Sequence, residues 1–399
     1  MFYWLLFPAF TMSLGWGLRG YIGGGPLGAM IPGAMVGLAL CLLLGRSPGN
    51  AAVVAALAAV GMGLGGQMTY GNTIQLAVAA ETRAWGLLGL TVKGAVWGLL
   101  GGGVVGLALE RGRVSWPGLL AMAAGTSLGW WFLNVPRVIY FSIDRQEVWA
   151  GLWLGALALL AVERSALAWR FALVAMAGGG VGFGLGGWFQ VWGRWNAPHA
   201  WVGWWKVMEF FFGFCLGLAL GWAAWRWRPV EPEARAVAPE VRAVAPEARA
   251  VAPEAVAVAF DLKSEVLGRA AILMVLYAEY HGTFRFLYSL LGSGLMAMVG
   301  WNARTGFLVG IMMTMAAFVW DLTHHVGFLV LTVVLAHAFR PVYDACGMLL
   351  LLTWSANAVA TSKALWRGHF AGEHALFLVL GVLVTGMALR VRRSSAPPS

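Results

Sequence analysis

The side chains best suited to chemistry fall into two groups: histidines that recur beside carboxylates late in the chain, and charged residues stranded in apolar runs early in it. Glu279 lies close to His281, Asp321 precedes His324 by three residues and His325 by four, and Glu373 sits between His369 and His374. Spacings of three and four bring groups onto one face of a helix. The DLTHH run could therefore hold a divalent metal, the cofactor this pattern would take, or work as an acid/base pair. The plainer reading is that these residues are polar groups gathered at a membrane interface.

The second group is more unusual. Arg19 is bracketed by GWGL and GYIGGG, Lys93 by GLTV and GAVWGLL, and Glu209 by WWKVM and FFFGFC. A charge in the middle of a membrane helix costs at least about 2.5 kcal/mol and normally faces a bundle interior or an aqueous cavity. Gln67, Asn72, Arg83, Asn134, Arg137, His199 and Lys206 map to the same side as these three. Together the ten form a candidate site whose cations favour a polar or anionic solute. Simpler roles compete: Lys93 and Arg194 could snorkel to the interface, and Lys206 and Glu209, three apart, could neutralise each other.

The elements that carry these residues follow from composition. Of 399 residues, 60% are hydrophobic and 11% charged, too little polar surface to coat a soluble globule. Apolar runs near twenty residues long, separated by short Arg-bearing loops, predict an all-α polytopic integral membrane protein. The first domain, 1–227, has eight such runs, near 3–20, 27–45, 51–66, 86–109, 115–133, 147–163, 168–187 and 203–225. Residues 228–261 are a Pro/Ala/Glu/Arg heptad segment with Pro232, Pro239, Pro246 and Pro253 seven apart, which excludes a coiled coil and reads as a disordered or extended linker. About six more runs make a second membrane domain over 262–391, giving about fourteen spans in all, and 392–399 is a C-terminal tail.

Internal repetition organises the first domain. VGMGLGG at 60–66 returns as VGFGLGG at 181–187, and SLGW at 13–16 returns at 127–130. GWGLRG at 15–20 shares the Gly-x-Gly-Leu-x-Gly frame, with Arg19 where the other copies have Gly65 and Gly186. Gly33/Gly37, Gly102/Gly106, Gly151/Gly155 and Gly213/Gly217 place a GxxxG pair on every second helix. The pattern predicts four parallel helix hairpins, arranged as duplicated four-helix halves, ahead of the six-helix second domain. Small-residue stripes let helix backbones approach closely, so the even-numbered helices are expected to touch one another. The glycines of the odd helices cluster at their C-terminal ends, which predicts broken helix ends lining a cavity.

An even helix count puts the four hairpin tips on one side, and both termini and the linker on the other. The arginine excess makes that other side cytoplasmic in a bacterial-type cytoplasmic membrane. Trp188, Trp192, Trp195, Trp201, Trp204 and Trp205 crowd the fourth tip, as an interfacial belt or a stacking surface. Cys41, Cys215 and Cys346 stand alone in apolar runs and read as core packing. Net charge +10 is scattered over loops instead of clustered, which argues against nucleic acid as a partner; lipid and a small polar or anionic solute are the partners implied. No P-loop, HExxH or nucleophile-elbow motif occurs. A transporter or channel with a Gly-lined cavity is the leading expectation, and a membrane-embedded enzyme using the His/acid residues is the alternative. A scaffold subunit gripping other proteins through its glycine faces is the third.

Overall fold

The computed structural model describes residues 1–22, 25–143, 147–229, 344–366, 368 and 372–395, and these contain helix and no strand. The segment expected as a linker and most of the expected second domain, including Glu279, His281, Asp321, His324, His325 and His369, lie outside the described residues. The α-helices are α1 Phe2–Arg19, α2 Gly25–Leu44, α3 Pro48–Gly65, α4 Gly71–Val78, α5 Arg83–Arg111, α6 Trp116–Gly129, α7 Trp149–Glu163, α8 Ala166–Asn196, α9 Trp204–Trp227, α10 Ala345–Trp366 and α11 Gly372–Ser395. Five of these, α3, α5, α8, α9 and α11, are long and apolar enough to cross a membrane; α2, α7 and α10 carry shorter apolar stretches. Their ends follow ordinary capping chemistry. Ser115 and Ser165 accept the backbone N–H groups of Gly118 and Ala168, and Gly112 closes α5 in the left-handed region at φ 63°. The eight-residue helix α4, in the second tip, has no counterpart among the apolar runs of the sequence.

Six helices close a ring in the order α1, α2, α3, α5, α8, α9 and back to α1, each packed on two neighbours. The α6/α7 hairpin leans on this ring through α5, and α10 and α11 pack against α1 and α2. The ring's centre is solid. Trp16 from α1, Trp97 from α5, Phe183 from α8 and Phe212 from α9 are all buried, with ring centroids 4.6 to 6.1 Å apart. Trp97 also donates its indole N–H to the Met62 carbonyl of α3 at 2.8 Å. The outer faces of α8 and α11 expose Leu173, Val181, Leu185, Val379, Val382 and Leu383, a surface suited to lipid chains.

Two expectations about glycine need correction. The GxxxG stripes of the even helices do not meet each other. Gly33/Gly37 of α2 faces Ala58 of α3, Gly102/Gly106 of α5 faces Phe171, Ala175 and Ala168 of α8, Gly151/Gly155 of α7 faces Thr126 of α6, and Gly213/Gly217 of α9 faces Met12 and Pro8 of α1. The stripe makes one flat helix face, and any neighbour without bulky side chains there can fill it. Nor is the glycine run of α8 a broken end: the helix continues through 181–187 to Asn196 because Gly182, Gly186 and Gly187 lie against Cys215, Met208 and Leu90. Close packing on both sides holds as helix a sequence that would fray alone.

These seams make a direct prediction. A Cβ at Gly102 would stand 2.5 Å from the Ala175 Cβ and 2.7 Å from the Phe171 carbonyl oxygen, whereas one at Gly386 meets nothing within 4 Å. Gly102→Leu should therefore destabilise the detergent-purified protein by about 3 kcal/mol through overpacking, while Gly386→Ala should be neutral or stabilising by up to about 1 kcal/mol. Thermal unfolding of the two variants beside wild type checks this, and equal midpoints would refute the seam.

Candidate functional site

Residues at the ends of α1 and α9, in the segment between α3 and α4, and before α7 meet the embedded charges in two polar nodes. The first is built on α1, α9 and the turn before α4. Arg19, 4% exposed, closes α1, and its Nη1 donates to the Tyr70 hydroxyl at 2.5 Å while Nη2 donates to the Gly25 carbonyl at 3.2 Å. Its guanidinium carbon lies 5.2, 5.1 and 5.5 Å from the ring centroids of Trp16, Tyr70 and Trp97. Contact of a desolvated guanidinium with aromatic faces contributes about 2 kcal/mol per favourable pair. Nε, buried, has no hydrogen-bond partner among the described residues.

Glu209, 2% exposed on α9, is the carboxylate of this node. It accepts the Tyr70 hydroxyl at 2.7 Å, the Trp205 indole N–H at 3.1 Å and Lys206 Nζ at 2.6 Å, with Arg19 Nη1 at 3.9 Å. Lys206 also donates to the Gly17 carbonyl at 2.9 Å and stands 4.9 Å from the Tyr21 ring centroid. Glycine makes this fit. A Cβ on Gly20 would lie 2.9 Å from Lys206 Nζ, and one on Gly28 would lie 2.8 Å from the Arg19 carbonyl oxygen. Burial, ahead of the opposed fields of Arg19 and Glu209, pushes the Tyr70 phenol well above its usual range, so it stays a donor to Glu209.

The second node centres on Lys93, fully buried on α5. Lys93 is ten residues inside the Arg83 end of this 29-residue helix, which puts it about 15 Å from that end and within about 6 Å of the helix midpoint. Its Nζ reaches Glu147 at 2.6 Å, the Thr69 carbonyl at 2.5 Å, the Thr73 hydroxyl at 2.7 Å and the Ser142 hydroxyl at 3.1 Å. Glu147 in turn accepts the Phe141 N–H at 2.6 Å and the Ser142 hydroxyl at 2.9 Å. Thr69 and Tyr70 are consecutive, so one short stretch between α3 and α4 touches both nodes.

The other sequence candidates divide. Gln67 is buried just after α3, and Asn72 and Arg83 are half-buried at the starts of α4 and α5. Asn134 is buried but structural: its Oδ1 accepts the Gly151 N–H at 3.0 Å, tying the π-helical turn Trp130–Asn134 to α7. Arg137 and His199 are exposed, with Arg137 at φ 54° donating to the Ile143 carbonyl, so neither reaches the nodes. His374 is buried on α11, its ring 4.9 Å from that of Tyr21, whose hydroxyl donates to Glu373 at 3.1 Å. Among the described residues, no three His, Cys, Asp or Glu side chains gather as metal ligands.

Sequence reading missed Tyr70, Thr69, Thr73, Ser142, Glu147 and Gln190. Gln190 is fully buried on α8, and neither atom of its amide has a hydrogen-bond partner among the described residues. It lies seven residues after Phe183, hence on the same face, and Phe183 packs on Tyr70 with centroids 5.1 Å apart. Gly186 abuts Met208 and Gly193 abuts Trp204, which sets Gln190 level with Trp205. The Trp205 ring lies 5.4 Å from that of Tyr70. Fold and site together define, among the described residues, an all-helical protein with five helices long and apolar enough to cross a membrane and a buried ionic centre. Comparison with protein families, curated proteins and solved structures returns no match.

Proposed function

We propose that this chain is a membrane transporter or channel for a small, polar, anionic solute, which binds above the aromatic floor at Arg19, Lys206, Tyr70 and Gln190. One observation carries the reading. Two cations, Arg19 and Lys206, share the single carboxylate of Glu209 inside the helix bundle, while Glu373 is bonded to Tyr21 instead. Among the described residues this leaves a surplus positive charge at such depth, which draws an anion from solution. Trp16, Trp97, Phe183 and Phe212 close the ring beneath, so passage needs these rings to move. In the same proposal the first domain is four parallel hairpins, α1/α2, α3/α5, α6/α7 and α8/α9, within about fourteen spans. Both termini and the linker are cytoplasmic in a bacterial-type cytoplasmic membrane.

The test is flux of chloride, inorganic phosphate, lactate and gluconate into liposomes of phosphatidylethanolamine and phosphatidylglycerol holding the full chain. At least one anion should enter above the protein-free rate. Lys206→Ala should raise its half-saturation concentration roughly tenfold, the loss of about 1.4 kcal/mol of charge-assisted binding. Arg194→Ala, on the exposed end of α8, should change nothing. Protein-free rates for all four anions would end the transport reading.

A further inference from the structure

Glu209 occupies three of the donors that an anion entering this site would meet. Its carboxylate takes the Tyr70 hydroxyl, the Trp205 N–H and the Lys206 ammonium, and it stands 3.9 Å from Arg19. A cradle of three donors beside a guanidinium that already fits one carboxylate will fit another of the same size and geometry. The same donors cannot bond two carboxylates at once, so an entering carboxylate displaces Glu209 from them, and a buried carboxylate stripped of its donors favours its protonated form.

Resting on the transport reading above, we propose that the solute is a monocarboxylate that displaces Glu209 from its cradle, and that Glu209 takes up one proton as it leaves. The balance is simple. The solute enters as an anion, one proton from the same side converts Glu209 to its neutral acid, and no bond other than the O–H bond is made. Arg19 and Lys206 face one negative group throughout, Glu209 in the empty site and the solute in the loaded one, so each cycle moves one anion with one proton and no net charge. Release on the far side returns the proton and restores Glu209 to its donors.

The groups that face Glu209 suit this exchange. Arg19 comes from α1, Tyr70 from the segment before α4, and Lys206 from α9 itself; Glu373 and His374 of α11 stand behind the Tyr21 ring. Arg19 and Lys206 face Glu209 in the empty site, and the arriving carboxylate takes those contacts from it. Gln190, level with Trp205 and with an unused amide, gives a hydroxyl-bearing acid a second hold, so hydroxy acids such as lactate and gluconate are the fitting probes.

The experiment follows labelled lactate and internal pH together in liposomes containing the full chain, with an inward proton gradient imposed. The expected result is that the gradient accelerates lactate entry at least tenfold, and that about one proton enters per lactate without membrane potential. Glu209→Gln should bind lactate more tightly at neutral pH, and its proton entry per lactate should fall at least tenfold. Glu209→Asp, which keeps a carboxylate on a shorter stem, should retain coupling and controls for misfolding of the glutamine variant. Lactate entry indifferent to the gradient would overturn the coupling while leaving transport intact. Coupling preserved in Glu209→Gln would overturn the role of Glu209, and selective entry of phosphate would overturn the monocarboxylate. No entry of any anion would instead sink the transport reading on which this rests.

Discussion

Arg19→Ala is expected to reduce anion flux at least a hundredfold, the largest functional loss of any single substitution in the site. The guanidinium does three things at once: it donates to Tyr70 and Gly25, it lies against three aromatic rings, and it supplies the charge that Glu209 alone does not cancel. Removing one partner of a buried charge cluster costs about 3 to 5 kcal/mol, and each 1.4 kcal/mol is a factor of ten in binding. Alanine also leaves Trp16 and Trp97 without the group they pack on, so the floor of the site should loosen. Arg19→Lys separates these effects. Lysine keeps the charge but lacks the planar fork that bonds and stacks together, so flux should fall about tenfold while the thermal midpoint shifts little. Parallel flux and unfolding measurements on both variants decide the matter; wild-type flux in Arg19→Ala would remove this residue from the binding site.

How much of this was readable from the chain depends on where the information lies. Arg19, Lys93 and Glu209 announce themselves because a charge within an apolar run has few tolerable surroundings, and all three are buried. The Lys206 and Glu209 contact was also local, fixed by a spacing of three on one helix. Glu147 was not readable as the partner of Lys93. Fifty-four residues separate them, and only the packing of α5 beside α7 brings them within 2.6 Å. Tyr70 and Gln190 carry no charge, so nothing in composition distinguishes them from interfacial tyrosine or a surface amide. The glycine pattern shows the same limit. It revealed that helices approach closely but not which ones, since a flat face names no partner and α9 found α1 across the whole first domain.

The second large effect is expected at Lys93, and it concerns stability first. Lys93→Met should destabilise the protein by about 3 to 5 kcal/mol, because Glu147, nearly fully buried, then loses its only cationic partner among the described residues. Were the pair an isolated pair of charges, replacing both ends with apolar groups would restore most of that loss. Here it should not. Glu147 also accepts the Phe141 N–H and the Ser142 hydroxyl, and Lys93 satisfies the Thr69 carbonyl and Thr73, so Lys93→Met with Glu147→Leu strands several buried polar groups. Glu147→Gln with Lys93→Met should recover more, since the amide oxygen can still accept from Phe141. Chemical denaturation of the single and double variants in detergent measures the ranking directly. Because Thr69 adjoins Tyr70, any variant that releases the Thr69 carbonyl should also disturb the Arg19 node, and lactate affinity should fall even where the fold survives. Full recovery by the leucine double variant would mean that Lys93 and Glu147 merely neutralise each other. Failure of that rescue, together with weakened lactate binding, would make the pair the strut that holds the Tyr70 turn, and with it the anion site, in place.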